Sequence, residues 1–478
     1  MKKQLSTAMA LFILAGTLAS CGGETSGTND TGTSGAENTD GGTTAAEEPE
    51  YDFTKDYDGK TFRILNYEDV FSMHAKISPE TEDGDLLNDT QYKCISTLED
   101  KTGVTVEETN RTYEGYSSDV RAMLSSGEDA YDVIYVNMND MYPLASERLL
   151  TNLMDNSRIS LDEDWWLHEN NDLCVLDGKL WSAEGYAQLM VVDATNIMMF
   201  NEDIANDLSL EMPYKTVSDG KWTLDVFAEY MKAGAAINLG PDTPDDQNRW
   251  NFDQPGNGAA LIGFIASAGE PFIEIKDGKL TMTGGSERFY SVCDKIAKIM
   301  SDNSSAMYYK EMCGVSTQFN KAKALFAYGE IKTTQELREA DFTFSVLPNP
   351  KYDENQTRYY SRKSWTSTGV SIPVTAPDAE MSGTLADALN YLSKEIVWPV
   401  YRGLVLEQKN LRNEESIEML DIILNSGMPE LATIYGVGTG ALDSIASKLL
   451  KGDTGIASVI DSKKSGIEKT IEKVNNAN

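Results

Sequence analysis

Apolar and polar positions follow two alternating periods along most of this chain. The apolar stretch at residues 61–65, launched by the Asp58-Gly59 turn, predicts a strand. Residues 86–101 carry Leu87, Ile95 and Leu98 broadly on one face, which predicts a helix stopped by Gly103. A second strand is expected at 104–107, a second helix at 117–126 closed by Gly127, and a third, near-continuously apolar strand at 131–136. Strand, helix, strand, helix, strand implies parallel pairing through crossovers, so this part is an α/β lobe.

A second region repeats the theme with other details. Residues 175–181 place Asp177-Gly178 between apolar arms, and 188–200 read as an extended segment leaving the first lobe. Thr223 is the expected N-cap of a helix through Phe227 and Tyr230. Helices are expected at 258–268, 287–300 and 319–328, a hairpin at 272–282 around Asp277-Gly278, and strands at 342–347 and 369–372. From residue 382 onward the pattern is mostly helical. No fixed-period repeat is present, which disfavours solenoids and propellers.

The first 58 residues break this pattern. Residues 1–20 have only Lys2 and Lys3 as charges, then an apolar run and small residues, the layout of a secretory signal. The sequence Leu18-Ala19-Ser20-Cys21 resembles a bacterial lipoprotein processing site, which implies lipidation at Cys21 and attachment to the outer face of the cell membrane. An ordinary cleavable signal with a chance cysteine is the alternative. Residues 21–58 are poor in apolar side chains, and between Gly22 and Asp58 they carry ten acids against Lys55 alone, the composition of a disordered acidic tether.

Charge then narrows the function. In 478 residues, 41 Lys+Arg stand against 76 Asp+Glu, for a formal net charge of −35, which excludes a duplex nucleic-acid binder driven by phosphate neutralisation. The signal holds +2 and the tether −9, leaving −28 on the body, so the imbalance is not confined to the tether.

Catalytic and metal patterns are sparse. His74 and His168 are the only histidines, so an H-E-x-x-H zinc site is absent; there is also no G-x-S-x-G elbow and no P-loop. Cys94, Cys174, Cys293 and Cys313 lack metal-ligand spacing and are expected as buried thiols, with Cys293–Cys313 the plausible short bridge. No cofactor and no metal is expected.

Polar chemistry instead gathers beyond the carboxyl ends of the strands, where open α/β sheets place ligands. Asn66, Tyr67, Glu68 and Asp69 follow the first strand; Asn137, Asn139, Asp140 and Tyr142 follow the third. Short amides and carboxylates suit pairs of hydroxyls, and aromatic faces suit the C–H face of a sugar ring. Helix capping and turn formation explain any one of these residues equally well. Trp250 and Trp365, in polar, loop-like surroundings, are stacking candidates, with a packing role as the alternative. Trp165, Trp166, Trp181, Trp222 and Trp398 are expected in the core.

In order along the body stand Asp85-Leu86-Leu87-Asn88-Asp89 with Tyr92, then Tyr131-Asp132-Val133-Ile134, and Trp165-Trp166 followed by Gly178-Lys179-Leu180-Trp181. Met199-Phe200-Asn201-Glu202-Asp203, Gly220-Lys221-Trp222-Thr223, Ala324-Leu325-Phe326 and the run from Asp341 to Tyr352 continue the series. Taken together, these stretches resemble the extracellular solute-binding proteins, family 1, of ATP-driven importers, in the lipoprotein form found in low-GC Gram-positive bacteria. Cys94 departs from the family, whose members often carry arginine there.

The resemblance implies a periplasmic-binding-protein-like fold of type II: two α/β lobes joined by a hinge, with a ligand cleft between them. The first lobe would span 59–192 with a return segment at about 350–415, and the second 193–349 with a C-terminal segment at about 416–470. Chain crossings are expected near 193–196, near 347–351, and at 372–375 or later. The implied ligand contacts are Asn137, Asn139 and Asp140, the crossing residues Asp193, Thr195 and Asn196, then Tyr67 and Glu68, and Glu330 after a helix holding Leu325 and Phe326. The implied partners are a small-molecule solute, expected to be a carbohydrate, and the transmembrane subunits of an ABC permease; the protein is expected to be a monomer. A surface-anchored glycan hydrolase using cleft carboxylates such as Glu68 and Asp140, and a sensor partner presenting solute, are the competing readings.

Overall fold

The computed structural model describes residues 51–53, 56–70, 73–234, 248–303, 307–309, 318–337, 339–406 and 414–476. The signal, Cys21 and nearly all of the tether lie outside the described residues, as does Cys313; Tyr51 to Asn478 form one compact unit.

Thirteen strands are present among the described residues. They are β1 (Thr61–Tyr67), β2 (Thr105–Arg111), β3 (Val133–Asn137), β4 (Asn196–Asn201), β5 (Trp250–Asp253), β6 (Ile273–Lys276), β7 (Lys279–Met282), β8 (Met307–Tyr308), β9 (Ala324–Glu330), β10 (Phe344–Leu347), β11 (Ser361–Arg362), β12 (Thr368–Ser371) and β13 (Gly427–Met428). The first sheet has the order β12-β3-β1-β2 and the second β10-β4-β9-β5-β8. In the first sheet β1 pairs in parallel with β2 and β3, whereas β12 runs antiparallel to β3. In the second, β4 is antiparallel to both β10 and β9, and β5 is parallel to β9 and β8. This is an α/β fold with two main sheets, two further two-stranded ones (β11-β13 and β6-β7), and helices packed around them.

Local chemistry explains the elements that carry the site. Every residue of β3 is buried, as its unbroken apolar run requires of a central strand. Arg63, on the neighbouring β1, reaches the buried Asp132 at 2.9 Å and fixes the approach to β3. The helix Leu86–Thr102 begins where the Asp85 carboxylate accepts from the Leu87 and Asn88 amides, and ends at Gly103, whose φ of 71° favours glycine. A Cβ at Gly103 would lie 2.2 Å from Asp56 Oδ1, so the same glycine admits the incoming chain. Thr223 caps the helix Leu224–Gly234 by accepting from Val226 N at 3.4 Å.

Two expected features differ. Residues 324–330 form a strand, not the end of a helix: β9 lies between β4 and β5 and buries its first five residues, so sheet pairing on both edges overrides the helical preference of its alanines and leucine. Glu330 therefore ends a strand. The second crossing also lies further along the chain than 347–351. Pro350 still accepts from Ser267 Oγ, and Lys351 exchanges backbone bonds with Trp222 and Leu224 of the second lobe. The chain passes between the sheets at Lys363, which bridges Thr195, and enters the first sheet at Thr368. The residues after β12 stay with the first lobe: Thr151 N donates to Ile372 O, and the helix Ala379–Leu392 packs on Leu86–Thr102. Helix Glu414–Leu424 then packs on β10 of the second sheet.

Cys94, Cys174 and Cys293 are buried free thiols, and burial pushes Cys94 up to about 12. Trp166, Trp181 and Trp222 are core residues; Trp165 and Trp398 are partly buried against that core.

Candidate functional site

The carboxyl ends of β1, β2 and β3 bring Tyr67, Arg111 and Asn137 to one edge of the first sheet, and antiparallel β12 presents Thr368 beside Asn137. Tyr67 is buried there, with its hydroxyl accepting from Asn137 N at 3.2 Å and its ring stacked on Tyr116 at 3.9 Å. Burial holds the Tyr67 phenol well above its usual range. Asn137 is also fully buried, and its Oδ1 accepts from the Thr368 hydroxyl at 2.8 Å. These two residues build the floor of the edge.

Trp365 rises from that floor. It lies in the passage between β11 and β12, is 41% exposed, and meets Tyr113 edge-on at 5.7 Å; Tyr113 in turn stacks on Tyr67 at 5.9 Å. Beside it lies a narrow recess with a volume of about 10 Å³, room for about one water in this conformation, bordered by Met138, Asn139, Glu184, Lys363, Trp365, Glu430 and Thr433, among others. Asn139 belongs to the helix Met138–Ser146, which springs directly from β3. Asp140, on the same helix, is half-buried; burial raises its carboxyl above the ordinary value, while Ser117 and Arg121 oppose the shift. Glu68 is exposed one residue beyond β1.

The recess is charged as well as aromatic. Glu184 is buried and accepts from Ser367 Oγ and from Asn170 Nδ2. Lys363 is buried with its ammonium donating to Val191 O and Thr195 Oγ1, both at 2.7 Å; burial lowers its pKa, with Glu184 opposing. Glu430 pairs with Arg362 at 3.3 Å.

The crossing residues do different work. Asp193 is fully buried and accepts from His74 N at 2.8 Å, from the His74 ring and from the Tyr401 hydroxyl. Thr195 is held by Lys363, and Asn196 Oδ1 accepts from Tyr328 at 2.8 Å. Their polar atoms are engaged by the protein, so in this conformation they brace the passage. Glu330 pairs with Lys332 at 3.1 Å on the edge opposite Asn196 in the register.

Trp250 differs from its expected place. It opens β5 in register with Ala324, whereas the crossing end of the second sheet is marked by the pair Asn196 and Glu330. Six residue steps along β9 separate the two ends, roughly 20 Å of strand. Trp250 instead packs edge-on against Tyr308 at 5.5 Å.

Tyr113, Glu184, Lys363 and Glu430 were not expected from sequence. Glu184 had a readable signal: it is the only charge between Trp181 and Asp193 in an otherwise apolar, small or uncharged run. Glu430 likewise stands alone between Gly427-Met428-Pro429 and Leu431-Ala432.

Solved structures now give this geometry a context. The chain is similar to the ABC substrate-binding protein Lmo0181 from Listeria monocytogenes, in complex with cycloalternan, at a TM-score of 0.56 and 14% identity, covering 87% of this chain and 100% of that one. It is similar also to the sugar-binding protein MalE from Xanthomonas citri, at 0.60 and 12%, covering 87% and 98%. The fold is that of ABC sugar-binding proteins. A cyclo/maltodextrin-binding protein complexed with maltotetraose matches at 0.58 and 14%, covering 86% and 97%. No family model matches the sequence, and no curated protein matches it. Like these ABC sugar-binding proteins, the chain has two α/β lobes of type II joined by a hinge. Among the described residues no helix is long and apolar enough to cross a membrane.

Proposed function

We propose that this chain captures a carbohydrate outside the cell and delivers it to the transmembrane subunits of an ABC permease, without changing it chemically. The observation that carries the reading is the exposed indole of Trp365 at the edge of the first sheet, on the side where Asn139 and Asp140 follow β3, in a fold shared with sugar-binding proteins. An indole covers the C–H face of a pyranose while the acceptors take its hydroxyls. The contact set is Trp365, Asn139 and Asp140, supported by Tyr67 and Asn137 from below, with Glu68 at the rim. Asp193, Thr195 and Asn196 belong to the hinge. The first lobe then comprises residues 59–192 with a return segment that begins at the 363–368 passage, and the second lobe 193–349 with the C-terminal helices. Lipidation at Cys21 keeps the protein, a monomer, at the outer face of the membrane, and the acidic tether lets the body stand clear of anionic lipid.

Calorimetry and thermal unfolding with maltotetraose, cycloalternan and α-D-tagatose test this. At least one should bind and be recovered intact, and at 100 times its dissociation constant it should add about 2.7 kcal/mol of stability. A flat response across the panel, or cleaved sugar, would sink the reading.

A further inference from the structure

Residues 427–435 link the helices Glu414–Leu424 and Thr439–Leu449 of the second lobe and touch the first lobe at both ends. At one end Tyr435 is buried; its hydroxyl donates to Cys174 O at 3.0 Å and its ring lies 4.9 Å from that of Tyr142. The preceding helix, Leu431–Ile434, packs on the helix Met138–Ser146, which carries Asn139 and Asp140. At the other end, a Cβ on Gly427 would lie 2.4 Å from Asn170 Oδ1, so the absent side chain is what admits Asn170 of the first lobe. Asn170 is itself fixed there, donating to Glu184 Oε2 at 3.1 Å. Two residues before Gly427, Asn425 O accepts from Arg358, which pairs with Glu169 of the first lobe at 2.8 Å.

This stretch covers the face on which the solute contacts are placed. Between Thr433 and Ile434 on one side and Met138 and Asn139 on the other, the remaining space is about 10 Å³, room for about one water. A pyranose ring is many times larger, so Asn139 is out of a solute's reach while the stretch is seated. What seats it is a buried hydroxyl-to-carbonyl bond, an aromatic pair and a close backbone approach, all made by the chain with itself. A form that excludes solute and is stabilised by the chain's own contacts lowers the apparent affinity in proportion to its population.

We infer that residues 427–435 are an autoinhibitory latch: in the empty protein they hold the second lobe against the helix Met138–Ser146, and solute reaches that face only after Tyr435 leaves Cys174 and Tyr142. The latched form exchanges with an open one, and solute competes with the latch for the open form. The consequence for affinity rests on the carbohydrate reading above; the consequence for the empty protein does not.

Two substitutions in the full chain test this. Y435F removes the donor to Cys174 and keeps the ring, whereas G427A sets a methyl group against Asn170 and supplies the same readings should Y435F fail to fold. Each is compared with wild type by small-angle scattering without solute, and by calorimetry with maltotetraose and cycloalternan. Both variants should have a larger radius of gyration than wild type when empty and the wild-type radius when saturated. Both should bind a probe roughly two- to tenfold more tightly, the factor by which one buried hydrogen bond shifts a two-state ratio. Damage to packing alone would weaken binding, so the gain is what marks a latch. An unchanged radius of the empty variants, or an affinity that is unchanged or lower in both, overturns the inference and leaves the carbohydrate reading standing. If the wild-type protein binds neither probe, that reading falls, and the latch is decided by the radius of the empty protein alone.

Discussion

Trp365 and Trp250 have the same side chain and similarly polar neighbours in sequence, yet the register of two sheets separates them. Trp365 stands in the passage between lobes with its indole 41% exposed beside the recess, whereas Trp250 starts an edge-proximal strand at the far end of the second sheet. Stacking on a sugar ring requires an accessible face and adjacent acceptors, and only Trp365 has both. W365A should therefore weaken oligosaccharide binding about tenfold or more, while W250A should leave affinity within about twofold, both measured by calorimetry on folded protein. Equal losses from the two substitutions would remove Trp365 from the site. At this scale the sequence was informative about residue type and silent about partners: Glu184 and Lys363 are 179 positions apart in the chain, and nothing local to either announces that both border one recess.

Elements were legible where a local period or cap decides them. The helices at Leu86–Thr102 and Glu287–Asp302 and the buried strand β3 follow from periodicity and from an unbroken apolar run, and the structure adds Asp85 and Ser286 as the caps of the two helices. β9 was not legible, because a short apolar run rich in alanine suits a helix and a doubly paired strand alike, and the partners that decide it, β4 and β5, are far away in sequence. A similar long-range dependence holds the helix Ala379–Leu392 to the first lobe. The buried carboxylate of Asp387 on that helix accepts from Ser160 N at 2.8 Å, Trp165 Nε1 at 3.1 Å, Trp166 Nε1 at 2.8 Å and the Tyr51 hydroxyl at 3.0 Å. Removing it strands donors from three separate segments. D387A should lower stability by about 3 kcal/mol or more in urea unfolding while leaving sugar affinity of the folded fraction unchanged. A loss below about 1 kcal/mol would show that water replaces the carboxylate there.

For the whole molecule, what matters is what joins the two sheets. The described passages are short: Thr195 bridges Lys363, Ser364 N donates to Ala194 O, and Ile331 N donates to Thr195 O. Away from them, the turn at Asp177 meets the hairpin between β6 and β7 through Asp177 N donating to Gly278 O at 2.9 Å, both residues having positive φ. One backbone bond between two turn tips exchanges readily with water, so it offers little resistance to rotation about the passage. The buried groups that brace the passage, Asp193 with His74 and Tyr401 and Lys363 with Thr195, stay within their own neighbourhood and do not cross the recess. Rotation also has to release Tyr435, whose hydroxyl donates to Cys174 O at 3.0 Å and whose ring lies 4.9 Å from Tyr142, and Arg358, paired with Glu169 at 2.8 Å; a solute bonded to both lobes must supply more than these contacts to shift an open–closed equilibrium. Small-angle scattering should accordingly show a smaller radius of gyration with saturating maltotetraose than without it. An unchanged radius in a sample shown by calorimetry to be saturated would mean that the site fills without lobe rotation, and recognition by a permease would then have to depend on local changes around Trp365 alone.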